Sequence, residues 1–208
     1  MNTLIIVDVQ NDFLSGGALA VPQGDAVIPV LNQMQPWFDK IIATQDWHPA
    51  NHASFAANHP GRNVGDVIQL DGIEQILWPV HCVQGTPGSE FAAELDQSRW
   101  DRVFQKGTDM RIDSYSGFFD NDHRSATGLA DYLRTIGAQR VFIAGLATDY
   151  CVKFTALDAR QLGFETYLIR DACRAVNLQP NDEANAIAAM QAAGVRVVNA
   201  DQCRMDSW

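Results

Sequence analysis

Arg140-Val141-Phe142-Ile143-Ala144, then Gly145-Leu146-Ala147-Thr148, then Asp149 to Leu162 stopped by Gly163, then Thr166-Tyr167-Leu168-Ile169 read in order as strand, turn, helix and strand. The two apolar runs are uninterrupted, as in strands buried on both faces, and the segment between them has helical length and a glycine stop. The unit is repeated downstream, where Asp182 to Ala193 reads as a helix closed by Gly194 and Val195 to Val198 as a last strand. Upstream, Thr127 to Ile136 reads as a helix ended by Gly137. Such strict alternation implies βαβ units and a parallel sheet.

Towards the N-terminus the pattern continues less regularly. Leu4 to Val7 is a β-branched run that ends at Asp8, Ile41 to Thr44 a second that ends near Asp46, and Arg102 to Gln105 a third that ends at Lys106-Gly107. Ala26 to Phe38 has helical apolar spacing, interrupted by Pro29 and Pro36. From Trp47 to Arg102 the chain is rich in His, Pro, Gly and Asn and reads as mostly irregular. A stretch that long inside a compact domain is usually functional. The expectation is one α/β domain over residues 1–208 with an irregular segment at about 46–101.

Composition narrows the classes of function. An apolar share of 47% and a charged share of 19% describe a globular chain, and a formal charge of -10 argues against nucleic acid or an anionic membrane as partner. No apolar run is long enough to span a bilayer, and the first nine residues carry no basic export signal. The four cysteines, Cys82, Cys151, Cys173 and Cys203, form no CxxC pair. Reduced thiols and a cytoplasmic location are expected.

In an open parallel sheet, ligands bind beyond the carboxyl ends of the strands. Asp8, Asp46 and Lys106 stand where strands end, and Cys151 follows the fourth strand. Cys151 falls in the first turn of a helix, where unpaired N–H groups and the helix dipole favour a thiolate and can bind an oxyanion. A depressed thiol pKa is therefore expected. Each residue alone has an ordinary reading: a turn carboxylate, a surface lysine, a buried cysteine. Their convergence on one rim does not. Asp46-Trp47-His48 puts a carboxylate and an imidazole on alternate residues, and four of the five histidines (His48, His52, His59, His81) lie in the irregular stretch. Asp and His together suit zinc, iron or manganese. Phe13, Trp47, Trp78, Tyr115 and Phe118 recur near these positions as core filling or as walls of a flat pocket.

Six segments now carry a resemblance: Ile5-Ile6-Val7-Asp8-Val9-Gln10-Asn11-Asp12-Phe13, Asp46-Trp47-His48-Pro49, Trp78-Pro79-Val80-His81-Cys82, Gln105-Lys106-Gly107, Tyr115-Ser116-Gly117-Phe118 and Gly145-Leu146-Ala147-Thr148-Asp149-Tyr150-Cys151-Val152. Over nearly its whole length the chain resembles the nicotinamidases (pyrazinamidases) of the isochorismatase-like cysteine hydrolase superfamily. The resemblance implies a three-layer α/β/α fold with a central six-stranded parallel sheet in Rossmann-like order. It implies hydrolysis of nicotinamide, and of pyrazinamide-type analogues, to the acid and ammonia through a cysteine thioester, in NAD salvage.

The implied triad is Asp8, Lys106 and Cys151, with the backbone N–H groups of Ala147 and Cys151 as oxyanion hole. The implied ligands of one divalent metal, zinc first and iron or manganese as alternatives, are Asp46, His48 and His81, with His52 the nearest match to a further ligand. Phe13, Trp78, Tyr115, Leu146 and Tyr150 are the implied pocket walls, and Leu146–Ala147 the site of a cis peptide. Tyr150 departs from the histidine that relatives often carry before the nucleophile. The alternative within the superfamily is an amidase for another small amide, such as a carbamoyl or ureido compound. Outside it stand a hydrolase using metal-bound water, which would survive thiol alkylation, and a non-catalytic binding module.

Overall fold

The computed structural model describes residues 1–204. Eight strands and four α-helices follow one another as β1 (Asn2–Val7), α1 (Val27–Met34), β2 (Lys40–Asp46), β3 (Val67–Leu70), β4 (Ile73–Ile76), β5 (Arg102–Lys106), α2 (Leu129–Thr135), β6 (Arg140–Leu146), α3 (Lys153–Gln161), β7 (Glu165–Arg174), α4 (Asp182–Ala192) and β8 (Arg196–Val198). Six of the strands form one sheet in the order β5-β2-β1-β6-β7-β8, and every pair in it is parallel. This is the expected six-stranded α/β architecture. The order reverses between β1 and β6, so the crevice beyond their carboxyl ends is the topological switch point. Right-handed crossovers place α1 on one face of the sheet and α3 and α4, which pack on each other, on the opposite face.

Local chemistry accounts for the elements. Ile5, Ile6 and Val7 on β1 and Val141, Phe142 and Ile143 on β6 are fully buried, as central strands covered on both faces require. α1 is shorter than its apolar spacing predicts. Pro29 is tolerated in its first turn, and Pro36 converts the continuation into a 3-10 turn over Gln35–Trp37. β7 runs to ten residues, well beyond the predicted Thr166–Ile169, and carries a register shift against β6 between Ile143 and Gly145.

The stretch predicted as irregular contains a two-stranded antiparallel hairpin, β3–β4, and the expectation is corrected there. Its signal is Asp71-Gly72, whose φ values of 49° and 85° are the two left-handed positions of a two-residue hairpin turn. Flanking polar residues hide the alternation. Among the described residues, no helix is long and apolar enough to cross a membrane.

Candidate active site

Asp8, Asp46 and Lys106 reach one rim for a reason visible in the register. Asp46 and Lys106 are the last residues of β2 and β5 and are paired directly across that parallel ladder, so their side chains share a face. Asp8 leaves β1 in the left-handed conformation (φ 51°), rare for a residue with a side chain. Its Oδ1 accepts a hydrogen bond from Thr44 Oγ1 at 2.6 Å. Lys106 Nζ lies 2.9 Å from Asp8 Oδ2, bonds Asp46 Oδ1, and donates to the Ser114 carbonyl at 2.8 Å and to Cys151 Sγ at 3.3 Å. All four side chains are buried.

Cys151 lies in a single π-helical turn, Thr148–Val152, ahead of α3, whereas the sequence predicts one helix from Asp149 to Leu162. The peptide between Leu146 and Ala147 is cis. Ala147 and Cys151 both line the cavity at this rim.

Electrostatics overturns one expectation. Burial pushes the Cys151 thiol well above its ordinary value, and Asp8 and Asp46 push it further against the opposing pull of Lys106. Burial, with the two carboxylates brought from β1 and β2, outweighs the local dipole of the helix start. Burial also raises Asp8, though Lys106 pulls the other way, so Asp8 is a stronger base than a solvated carboxylate. Burial opposes the charges of Asp46 and Lys106 as well, but their mutual attraction wins. Asp46 is held well below the carboxylate range and Lys106 well above the lysine range. The resting site is thus a neutral thiol between a carboxylate and an ammonium. Its alkylation by iodoacetamide is expected to keep accelerating through pH 9; a rate already level by pH 7 would show an acidic thiolate instead.

A second group adjoins the first through Asp46. The Nε2 atoms of His48 and His81 stand 3.4 and 3.7 Å from Asp46 Oδ2, and one ligand atom from each residue lies within 4.8 Å of the others. His48 Nδ1 donates to the Gly107 carbonyl and His81 Nδ1 to the Pro79 carbonyl, both at 2.8 Å. Such second bonds fix the tautomer that leaves Nε2 as a ligand. His48 Nε2 is buried and, among the described residues, has no hydrogen-bond partner. Two aimed lone pairs beside a carboxylate fit a divalent cation. Gly107 is required here. It has φ 64°, and a Cβ on it would stand 2.3 Å from the His48 ring.

His52 takes a different position. Its Nε2 donates to the Ile112 carbonyl at 3.1 Å and its Nδ1 faces Ser54 Oγ at 2.7 Å, so both ring nitrogens are engaged. A ring nitrogen of it clusters instead with His48 and Asp113.

Of the expected walls, Phe13, Trp78, Tyr115 and Tyr150 line the cavity, and the three last meet edge to face, Trp78 and Tyr150 with ring centroids 4.9 Å apart. Leu146 is absent from the lining; it is buried, with its side chain directed towards Gly24, because it is still the final residue of β6. Phe118 packs in the core. Sequence reasoning missed Leu19, Val21, Asp113 and Val176 in the lining. They come from loops with no periodic signal. It also gave no role to Asp149, whose carboxylate accepts the N–H groups of Val176 and Asn177 at 2.9 and 2.8 Å and so moors the loop that carries one wall.

A thiol flanked by a base and a cation at the switch point of a parallel α/β sheet is arranged for attack on an acyl carbon, and with this fold it is the layout of the cysteine hydrolases. Comparison with known proteins narrows the class. The model of the isochorismatase domain family matches residues 2–202, and the chain belongs to that family. The chain is 50% identical over 195 residues to the nicotinamidase of Escherichia coli, covering 92% of this chain and 91% of that one. Among solved structures, the nicotinamidase/pyrazinamidase of Acinetobacter baumanii superimposes with a TM-score of 0.94 at 45% identity, covering 97% of each chain. The pyrazinamidase of Pyrococcus horikoshii in complex with zinc superimposes with a TM-score of 0.78 at 41% identity, covering 95% of this chain and 98% of that one.

Proposed function

We propose that the chain is a nicotinamidase that hydrolyses nicotinamide to nicotinate and ammonia through a thioester on Cys151, returning the ring to NAD salvage. The observation that carries the chemistry is the contact of Lys106 Nζ with both Asp8 and Cys151, the last of which lines an aromatic-walled cavity. Asp8 takes the thiol proton as the sulfur attacks the carboxamide carbon. Lys106 stabilises the negative charge as it passes from Asp8 to the sulfur, and the N–H groups of Ala147 and Cys151 receive the oxyanion, each such donor being worth about 2.7–4 kcal/mol. Asp8 returns the proton to the departing nitrogen, and ammonia leaves as the thioester forms. Asp8 then accepts a proton from the water that hydrolyses the thioester, and the thiol is restored.

Phe13, Trp78, Tyr115 and Tyr150 are placed to wall a flat heteroaromatic ring. A divalent ion, zinc before iron or manganese, would be held by Asp46, His48 and His81, and when bound it supplies an electron-pair acceptor for the ring nitrogen. The zinc complex of the Pyrococcus horikoshii relative and the free Nε2 of His48 support this reading.

The test is ammonia release from nicotinamide by purified protein, before and after thiol blocking and metal stripping. Blocking is expected to abolish release. Stripping is expected to raise KM, with zinc restoring it. Turnover that survives thiol blocking would place the nucleophile elsewhere, and an unchanged KM after stripping would remove the metal's part.

A further inference from the structure

Asp46 serves both halves of the site, since one carboxylate oxygen bonds Lys106 and the other faces His48 and His81. What holds Asp46 is therefore of interest. On one side its strand is laddered to β5. On the other, β1 has already ended: its last registered pair with β2 is Val7 with Thr44, and the chain turns away at Asp8.

Gln10 fills that gap. Its Oε1 accepts the Asp46 N–H at 2.8 Å, and its Nε2 donates to the Asp46 carbonyl at 2.8 Å. The same Nε2 donates its second hydrogen to the Ser89 carbonyl at 2.8 Å. One side-chain amide thus replaces the strand residue that β1 no longer provides. Gln10 is fully buried, so no water substitutes for it.

We propose that Gln10 is a positioning residue that sets the Asp46 main chain, and through it the carboxylate that the metal group and Lys106 share. The inference rests on the metal reading given above. Both amide atoms are needed because the two main-chain groups of Asp46 ask for one acceptor and one donor. Gln10→Glu keeps the shape but opposes a carboxylate oxygen to the Asp46 and Ser89 carbonyls. Gln10→Met keeps the bulk without polar atoms. Gln45→Met is the control, since Gln45 also donates to the Ser89 carbonyl, at 2.9 Å, but does not bond the Asp46 peptide.

Zinc affinity is measured on the full-length folded proteins by competition with a chromogenic chelator, alongside thermal melting. Loss of an outer-shell partner typically weakens metal binding roughly 10–100-fold. Both Gln10 variants are expected to fall in that range, to show a raised KM that excess zinc lowers, and to differ from Gln45→Met, which binds zinc like the parent. If Gln10→Glu does not fold, Gln10→Met decides. Gln10 variants that melt earlier but bind zinc as tightly as the parent would reduce Gln10 to a structural residue and overturn the proposal. Equal weakening in Gln45→Met would assign the effect to the Ser89 loop and overturn it too. A parent protein that binds no zinc would sink the metal reading itself, and this role with it.

Discussion

Cys151→Ala is expected to lower ammonia release from nicotinamide by at least about 10⁴-fold while leaving the fold intact, because a nucleophile that forms the covalent intermediate has no substitute within reach. Cys82, Cys173 and Cys203 are buried as well, and none of them lines the cavity. The substitution deletes one sulfur from the cavity and keeps the pairing of Lys106 with Asp8 and Asp46, so the melting temperature should move by only a few degrees. Cys151→Ser should be nearly as inactive, since a buried hydroxyl is harder to deprotonate than a buried thiol. Steady-state rates and a single-turnover search for the acyl-enzyme check both. An alanine variant with near-parental turnover would eliminate covalent catalysis and revive a metal-bound water as nucleophile.

Lys106→Met should have the largest effect on stability. The ammonium is 1% exposed and faces two buried carboxylates, so its removal leaves two uncompensated anions. Breaking a buried ion pair costs about 3–5 kcal/mol, which at this chain length lowers Tm by roughly 6–20 °C.

The pH dependence of stability should change with it. In the parent, Lys106 is raised, so its contribution is complete below about pH 10 and is lost only as pH climbs through its folded value. Asp46 is depressed, so its contribution is complete above about pH 4 and is lost as pH falls towards its folded value. Between those limits this pair gives a flat profile. Without the ammonium, burial, the largest influence on both Asp8 and Asp46, is opposed only by the Thr44 hydrogen bond at Asp8 and by His48 and His81 at Asp46, and both folded pKa values rise. The variant should then be more stable at pH 5 than at pH 8 in the presence of a chelator. Thermal melts across that interval are the measurement, and a flat profile for Lys106→Met would contradict the assigned charges.

The amino-acid sequence by itself determined that this is a parallel α/β protein. Runs such as Ile5-Ile6-Val7 and Val141-Phe142-Ile143, separated by glycine-stopped helices, are local signals that burial on both faces imposes on a strand. The rim residues were legible for the same reason. Once the strands are parallel, the residues after Val7, at Asp46 and Lys106, and after Leu146 must share an end of the sheet. The hairpin turn at Asp71-Gly72 was written locally too, but weak alternation on β3 and β4 hid it.

The tertiary structure alone decided the state of the site. Burial of the Cys151 thiol, with Asp8 and Asp46 arriving from distant strands, pushes its pKa up, and neither effect is present in the local dipole of the helix start. His48 and His52 are both buried imidazoles of one loop. Only the three-dimensional arrangement leaves Nε2 of the first unpaired and engages both nitrogens of the second. Gln10 reads as part of a motif in the sequence and becomes a partner of Asp46 only where β1 diverges from β2. Periodicity records how each segment meets a core. Charge, protonation and hydrogen-bond partnership depend on pairs far apart in the chain, which come into being only on folding.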